Sequence, residues 1–258
     1  MPSTVARPRR IASGAQPKLL AFASLIVLLV FFSLASPNFL QTANILAILQ
    51  ATSVNGVLAI AATLLIITGG IDLSVGTLMT FTAVTAGVVL TYWGMPLPLG
   101  IVAAIAAGVT SGFISGTLVA RMKIPPFIAT LGMMLILKGL SLVISGTKPI
   151  YFNDTPSFPL LSTGSLIGGV IPGLPVPNGV VILFVLALVI SWVLNRTVLG
   201  RYCFALGSNE EAVRLSGVNA DGWKVAIYAL AGGICGIAGL LIASRLNSAQ
   251  PALGLGYE

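Results

Sequence analysis

Long apolar runs separated by short polar breaks dominate the chain, and the spacing predicts helices that cross lipid. Residues 19–71 contain no charged side chain, whereas a hydrocarbon core about 30 Å thick needs only about 20 apolar residues in a helix. Pro37-Asn38 divides that stretch into a first span near Leu19–Ser36 and a second near Ile45–Thr68. A third predicted span is Leu73–Trp93. The turn Gly94-Met95-Pro96-Leu97-Pro98 leads to a fourth, Leu99–Ala120, and Arg121-Met122-Lys123-Ile124-Pro125-Pro126 to a fifth, Phe127–Ser145. Gly179–Leu194 and Val225–Ser244 are the sixth and seventh. The pattern predicts an all-α, polytopic transmembrane helix bundle of about seven spans, with an N-terminal tail at 1–18 and a membrane domain at 19–258.

Composition agrees with this pattern and narrows the chemistry. Of 258 residues, 57% are hydrophobic and 7% charged, against about 25% charged in soluble domains. So few polar groups cannot cover a water-facing surface, which excludes a soluble enzyme, a disordered tail and a disulfide scaffold. Histidine is absent, removing imidazole bases, Ser-His-Asp triads and His metal ligands. Cys203 and Cys235 lie in unlike contexts, polar and apolar, and form neither a zinc pattern nor a disulfide framework. No catalytic residue, metal or cofactor is expected. The net charge of +7 sits at the ends of apolar runs, which points to a lipid bilayer and not to nucleic acid.

Basic residues also orient the spans. With the N-terminus in the cytoplasm, Arg7, Arg9, Arg10, Lys18, Arg121, Lys123, Arg196, Arg201, Arg214 and Lys224 all fall inside. Lys138, Lys148 and Arg245 fall outside, Lys138 by snorkelling. A cleavable signal peptide is the competing reading of the first run. That run is about 18 residues long and further spans follow it, whereas a signal core is usually about 7–15 residues. An uncleaved helix is therefore expected.

Several polar and small residues stand out against this background. In Gly69-Gly70-Ile71-Asp72-Leu73-Ser74-Val75-Gly76, Asp72 is the one acid before residue 154. A carboxylate at membrane depth is costly unless paired or hydrated. Three readings stand: Asp72 or Ser74 caps the third span, a broken helix lines a water-filled pathway, or Asp72 carries a proton. Gln50, Thr52 and Asn55 give the second span polar groups for interhelical bonds or for cargo. Gly108, Gly112 and Gly116 recur every four residues, as do Gly232 and Gly236. Such stripes let helix backbones approach closely, within one bundle or between two subunits.

Two longer interruptions complete the reading. Residues 146–178 are rich in proline and glycine, too long and broken for a simple turn. Within them Thr155–Leu160 reads as extended structure with apolar side chains outward, either a partner surface or a self-packed cap. Residues 196–224 form a polar inner segment in which Ser208 and Glu211 fit a capping box opening a short helix that Gly217 closes. Ala212, Val213 and Leu215 would give that helix a small apolar face. So short a helix needs something to lie against, its own bundle or another subunit.

Taken together, the chain resembles the permease subunit of a bacterial ABC importer of the ribose/monosaccharide type, in the branched-chain amino-acid permease superfamily. The resemblance rests on Pro37-Asn38-Phe39 with Asn44-Ile45, on residues Gly69–Gly76, on Ile124-Pro125-Pro126-Phe127-Ile128-Ala129-Thr130-Leu131-Gly132, on Gly200-Arg201 and on Ala205–Val218. The polar groups of the second span and of the Gly69–Gly76 segment make Gln50, Asn55, Asp72 and Ser74 the candidate pathway residues. The resemblance implies a coupling helix at 210–217, where Asn209, Glu210, Glu211, Ala212, Arg214, Leu215 and Gly217 would seat in an ATP-binding cassette subunit. The implied partners are that subunit, a second permease copy as homo- or heterodimer, and a periplasmic substrate-binding protein delivering a sugar. No phosphate-binding Gly-x4-Gly-Lys-Ser/Thr loop occurs here, so ATP hydrolysis is expected in a partner chain. The resemblance further implies about ten spans and a chain running past Gly256-Tyr257-Glu258, so seven spans read as a C-terminally truncated form. The alternative is an ion- or proton-coupled secondary transporter using Asp72. A membrane-embedded enzyme has little chemistry available without histidine or clustered acids.

Overall fold

The structure is a computed structural model that describes residues 16–170 and 175–257. The tail expected at 1–18, with Arg7, Arg9 and Arg10, and the terminal Glu258 lie outside the described residues, except for the tail's last three positions, which begin a helix. Two units are distinguished, 1–48 and 49–258. In the first, helix α1 (Gln16–Ala35) ends before Pro37, whose ring disfavours the helical conformation of the preceding residue. The turn that follows is tied by Gln41 Nε2 donating to Asn38 Oδ1 (2.7 Å) and Asn44 Nδ2 donating to the Phe39 carbonyl (2.8 Å). Phe32 and Phe39 stack with ring centroids 5.7 Å apart. Helix α2 (Thr42–Ile67) begins here.

The second unit holds the rest of α2, then α3 (Val75–Gly87), α4 (Leu97–Ala120), α5 (Pro126–Ile144), the short α6 (Leu160–Thr163) and α7 (Leu166–Val170), α8 (Asn178–Arg196), α9 (Val198–Leu215) and α10 (Ala220–Leu246). A π-helical turn, Val88–Tyr92, extends α3. Among the described residues, α2, α3 with its π turn, α4, α5, α8 and α10 are long and apolar enough to cross a membrane, and Leu19–Ala35 of α1 is a shorter apolar helix. These are the seven predicted positions, and the architecture is an all-α polytopic bundle.

Its centre is α4 against α10, with α3 filling the groove beside them. A Cβ on Gly108 would strike the Gly232 carbonyl, one on Gly112 the Tyr228 carbonyl, and one on Gly236 would sit 3.0 Å from the Ala104 carbonyl. Gly116 faces Val225 and Tyr228. The two small-residue stripes thus face each other within one chain, where van der Waals packing substitutes for a hydrophobic drive that lipid does not supply. Helix α3 is buried almost throughout although it carries Thr77, Thr80 and Thr82. Each of these hydroxyls donates to a carbonyl of its own helix or cap, at 3.0, 3.3 and 2.8 Å, so burial leaves none unpaired.

Two segments depart from expectation. In the 146–178 region, Ile150–Tyr151 (β1) pairs antiparallel with Ser248–Ala249 (β2) beyond α10. Residues 155–159 form turns that lead into α6 at Leu160, not an extended strand, and Phe158 points inward. Its ring stacks on Phe152 at 3.9 Å between centroids, and both are buried. The prolines bend the chain back over its own apolar side chains, making a self-packed cap. The 196–224 segment is mostly helix: only Thr197 separates α8 from α9, and its hydroxyl accepts from the Gly200 N–H. Helicity is hard to read there because the apolar face of Val198–Leu206 is interrupted by Gly200 and Arg201.

Candidate translocation site

The link between α2 and α3 is where the bundle opens. Helix α2 stops because Gly69 turns into the left-handed region (φ 76°), a conformation glycine adopts without steric cost. Gly70 then passes so close to Tyr228 that a Cβ there would lie 2.7 Å from its hydroxyl. The Leu73 N–H donates to Thr130 Oγ1 (3.1 Å), while that hydroxyl donates to the Pro126 carbonyl (2.9 Å). A buried threonine of α5 thereby fixes non-helical backbone that would otherwise leave an N–H unpaired.

Asp72 is held by the same turn. Its Oδ1 accepts from the Ser74 N–H (2.7 Å) and from Ser74 Oγ (2.6 Å), an Asx-type turn. Ser74 occupies the N-cap position of α3, yet its hydroxyl makes no cap hydrogen bond and serves Asp72 instead. Among the described residues, no ion pair involves Asp72. A cavity of about 660 Å³ opens beside it, bordered by Asn55, Ala59, Ile66, Asp72 and Tyr257 together with neighbouring apolar groups.

Of the four pathway residues named from the sequence, Asn55 and Asp72 border this cavity, and Ser74 is buried behind Asp72. Gln50 is elsewhere. Five residues along a helix turn through about 140°, and its Nε2 is buried without a hydrogen-bond partner among the described residues. Thr130, Tyr228 and Tyr257 were not singled out from the sequence. A lone threonine in the apolar α5, directly after Pro125-Pro126, was the available signal for the first.

A second constellation lies where α4 ends and α10 begins. Asn209 breaks α9 (φ −159°, ψ 97°), and its Oδ1 accepts from the Ala212 N–H at 2.9 Å. The cap of the short helix is therefore Asn209 and not Ser208, one residue later than the capping box placed it. At the other end Gly217 is left-handed (φ 79°). Its N–H reaches the Arg214 carbonyl at 3.0 Å and the Val218 N–H the Val213 carbonyl at 3.4 Å, the Schellman pattern.

The helix has two unlike faces. Val213 is buried, and Glu210 and Arg214, on the flank of the helix, reach α10 through surface ion pairs. Glu211, Ala212 and Leu215 point away, and Leu215 is 84% exposed. The apolar face expected from Ala212, Val213 and Leu215 does not form, because residues 212 and 215 share a side that 213 does not. Arg214 Nη2 bonds Glu210 Oε1 (2.7 Å) and pairs with Asp221, whose Oδ1 also takes Lys123 Nζ (2.7 Å); Lys224 pairs with Glu210. Burial opposes ionisation of Glu210, yet the hydrogen bonds from Lys224 and Arg214 hold its carboxyl below its ordinary value.

Just before the kink, Gly207 abuts the Ile67 carbonyl, and Cys203 Sγ lies 3.5 Å from the Leu64 carbonyl. Burial pushes the Cys203 thiol up to about 11, which leaves it an unreactive packing group. Among the described residues no group of three His, Cys, Asp or Glu side chains could hold a metal.

The cavity thus lies beside the non-helical α2–α3 link, among helices long and apolar enough to cross a membrane. A family model described as branched-chain amino acid transport system / permease component matches residues 44–258. The chain is 40% identical over 235 residues (91% of it, 72% of the relative) to the ribose import permease protein of Escherichia coli (strain K12). It is 40% identical over 248 residues (95% and 74%) to that of Bacillus subtilis (strain 168). With the fructose import permease protein of Rhizobium meliloti it shares 36% over 231 residues (88% and 63%). No solved structure matches. The chain belongs to the branched-chain amino acid transport system / permease component family, as a multi-pass membrane protein and transport subunit.

Proposed function

We propose that this chain is the transmembrane subunit of an ATP-driven importer that carries a monosaccharide such as ribose across the bacterial inner membrane. The observation that carries the reading is its likeness, along nine-tenths of its length, to proteins named as ribose import permeases. The cavity suits a polyol: Asn55 and Asp72 supply a donor and acceptors for sugar hydroxyls, and Tyr257 offers an aromatic surface. A periplasmic binding protein delivers the sugar, and a second permease copy completes the pathway. The N-terminus is cytoplasmic, so the Asn209–Gly217 helix faces the cytoplasm and seats in an ATP-binding subunit through Glu211, Ala212 and Leu215.

The test is sugar uptake into proteoliposomes holding the chain with its ATP-binding and sugar-binding partners. Uptake should require ATP inside and continue when ion gradients are dissipated. Asp72→Asn should raise the sugar concentration needed for half-maximal uptake while leaving the ATP requirement intact. Uptake that stops with the gradients and not with ATP would instead make Asp72 the coupling site of a secondary transporter, a role that the absence of an ion-pair partner among the described residues would suit.

A further inference from the structure

The ion pairs at the cytoplasmic end form one continuous chain, Lys123–Asp221–Arg214–Glu210–Lys224, across three elements: the α4–α5 turn, the second half of α9, and the first turns of α10. Asp221 is shared by Lys123 and Arg214, and Glu210 by Arg214 and Lys224, so Arg214 is the middle link. Arg214 reaches both oxygens of Asp221, Nη1 lying 3.2 Å from Oδ2, the forked geometry that a guanidinium supplies and an ammonium does not. Lys123 reaches its partner from a left-handed backbone (φ 57°), a conformation uncommon outside glycine.

The covalent connections of the short helix are bent at both ends, at Asn209 and at Gly217, and Val213 is its one buried apolar residue. Neither joint is rigid in the way a continuous helix is. An isolated pair at a surface contributes little; a chain with shared partners fixes the helix in position and angle against two other elements. The faces are also divided: the ion chain occupies one flank of the helix, and Glu211, Ala212 and Leu215 are exposed and take no part in it.

We infer that Glu210, Arg214, Asp221 and Lys123 are positioning residues that make the short helix, the start of α10 and the α4–α5 turn move as one body. The inference rests on the reading that this helix seats in an ATP-binding subunit. A displacement delivered to the outward face then passes through Arg214 and Asp221 into α10, and through the glycine contacts of α10 into α4. The outward residues bind the partner; those of the ion chain transmit.

The experiment compares the reconstituted complex carrying the full-length chain with the same complex carrying Asp221→Asn, Lys123→Met, Asp221→Glu or Leu215→Asp. Three quantities are read: co-purification of the ATP-binding subunit, ATP hydrolysis, and sugar moved per ATP. Asp221→Asn should keep the first two and lower the third by roughly tenfold, within the usual range of coupling between sites. Lys123→Met, at an exposed side chain, should lower it less, and Asp221→Glu should restore it. Leu215→Asp should lose the subunit. Unchanged sugar per ATP in both Asp221→Asn and Lys123→Met overturns the inference alone. So does loss of the ATP-binding subunit from Asp221→Asn, since the ion chain would then be the docking contact. A parent chain that captures no ATP-binding subunit overturns the docking reading and the inference with it.

Discussion

Helix α3 with its π turn and helix α8 are both of membrane-spanning length, and the more apolar of the two is the less buried. Helix α8 runs Val180-Val181-Ile182-Leu183-Phe184-Val185-Leu186 and buries only Gly179, Val180 and Ile190. Helix α3, with glycines and threonines among its apolar residues, is buried almost along its whole length. In water that order would be reversed. Lipid tails are as apolar as leucine, so large side chains gain little by turning inward, and the interior goes to small residues that permit close backbones. Between these two helices, burial does not follow hydrophobicity.

Substitutions at residues packed against α3 and at exposed positions such as those of α8 should separate sharply. The largest effect is expected at Gly239 of α10, where a Cβ would meet Thr82 Oγ1 and the Met79 carbonyl of α3. Gly239→Leu should cost about 3 kcal/mol or more, seen as failure to recover detergent-stable protein or as a steep fall in melting temperature. An unchanged melting temperature would mean that α3 is not closely packed. Next comes Thr130→Val, which removes the acceptor of the Leu73 N–H beside the start of α3. An unsatisfied buried donor costs about 1–3 kcal/mol, and faster amide exchange at Leu73 and Ser74 would report it.

A smaller, pH-dependent effect belongs to Glu210. Its carboxyl titrates below its ordinary value in the folded chain. Its contribution is therefore fully present above the unfolded value of about 4.3 and is lost as pH falls through the lower folded value. The melting temperature should show this acid-side decline, worth no more than about 1 kcal/mol, and Glu210→Gln should flatten it. The smallest effect is expected on α8, at Leu188, which is 71% exposed. Leu188→Ala should stay within about 0.5 kcal/mol. A loss comparable to that of a core leucine in a detergent-solubilised, singly dispersed chain would erase the contrast between the helices.

The spans were legible because each is a long apolar run bounded by Pro, Gly or charge, and their ends agree with the structure to within a few residues. So was the importance of Gly69–Gly76, since two glycines and a carboxylate in an apolar context leave few uses for themselves. The sequence did not disclose Thr130 as the anchor of that link, because a hydroxyl inside an apolar helix usually bonds its own preceding turn, and the partner lies 57 residues away. The partners of Arg214 are near in sequence, at four and seven residues, and the distant member of that ion chain is Lys123, 98 residues from Asp221. The resemblance assigns Arg214 to the contact with an ATP-binding subunit, and within the chain it also pairs with Asp221 and Glu210. At 155–160 the self-packed alternative holds and the extended one does not: proline favours extended backbone locally, while Phe152, reached only by a bend, gives Phe158 its partner.

The glycine seam of α4 and α10 has a consequence in time. Gly112 leaves the ribosome more than a hundred residues ahead of Tyr228, whose carbonyl it must meet. At about 5–20 residues per second, α4 waits on the order of 10 s in the bilayer before its counterpart is made. A groove of bare backbone lined by hydrophobic side chains would be a hazard in water for that long. In lipid it attracts nothing strongly, and a late-arriving helix can still find it vacant.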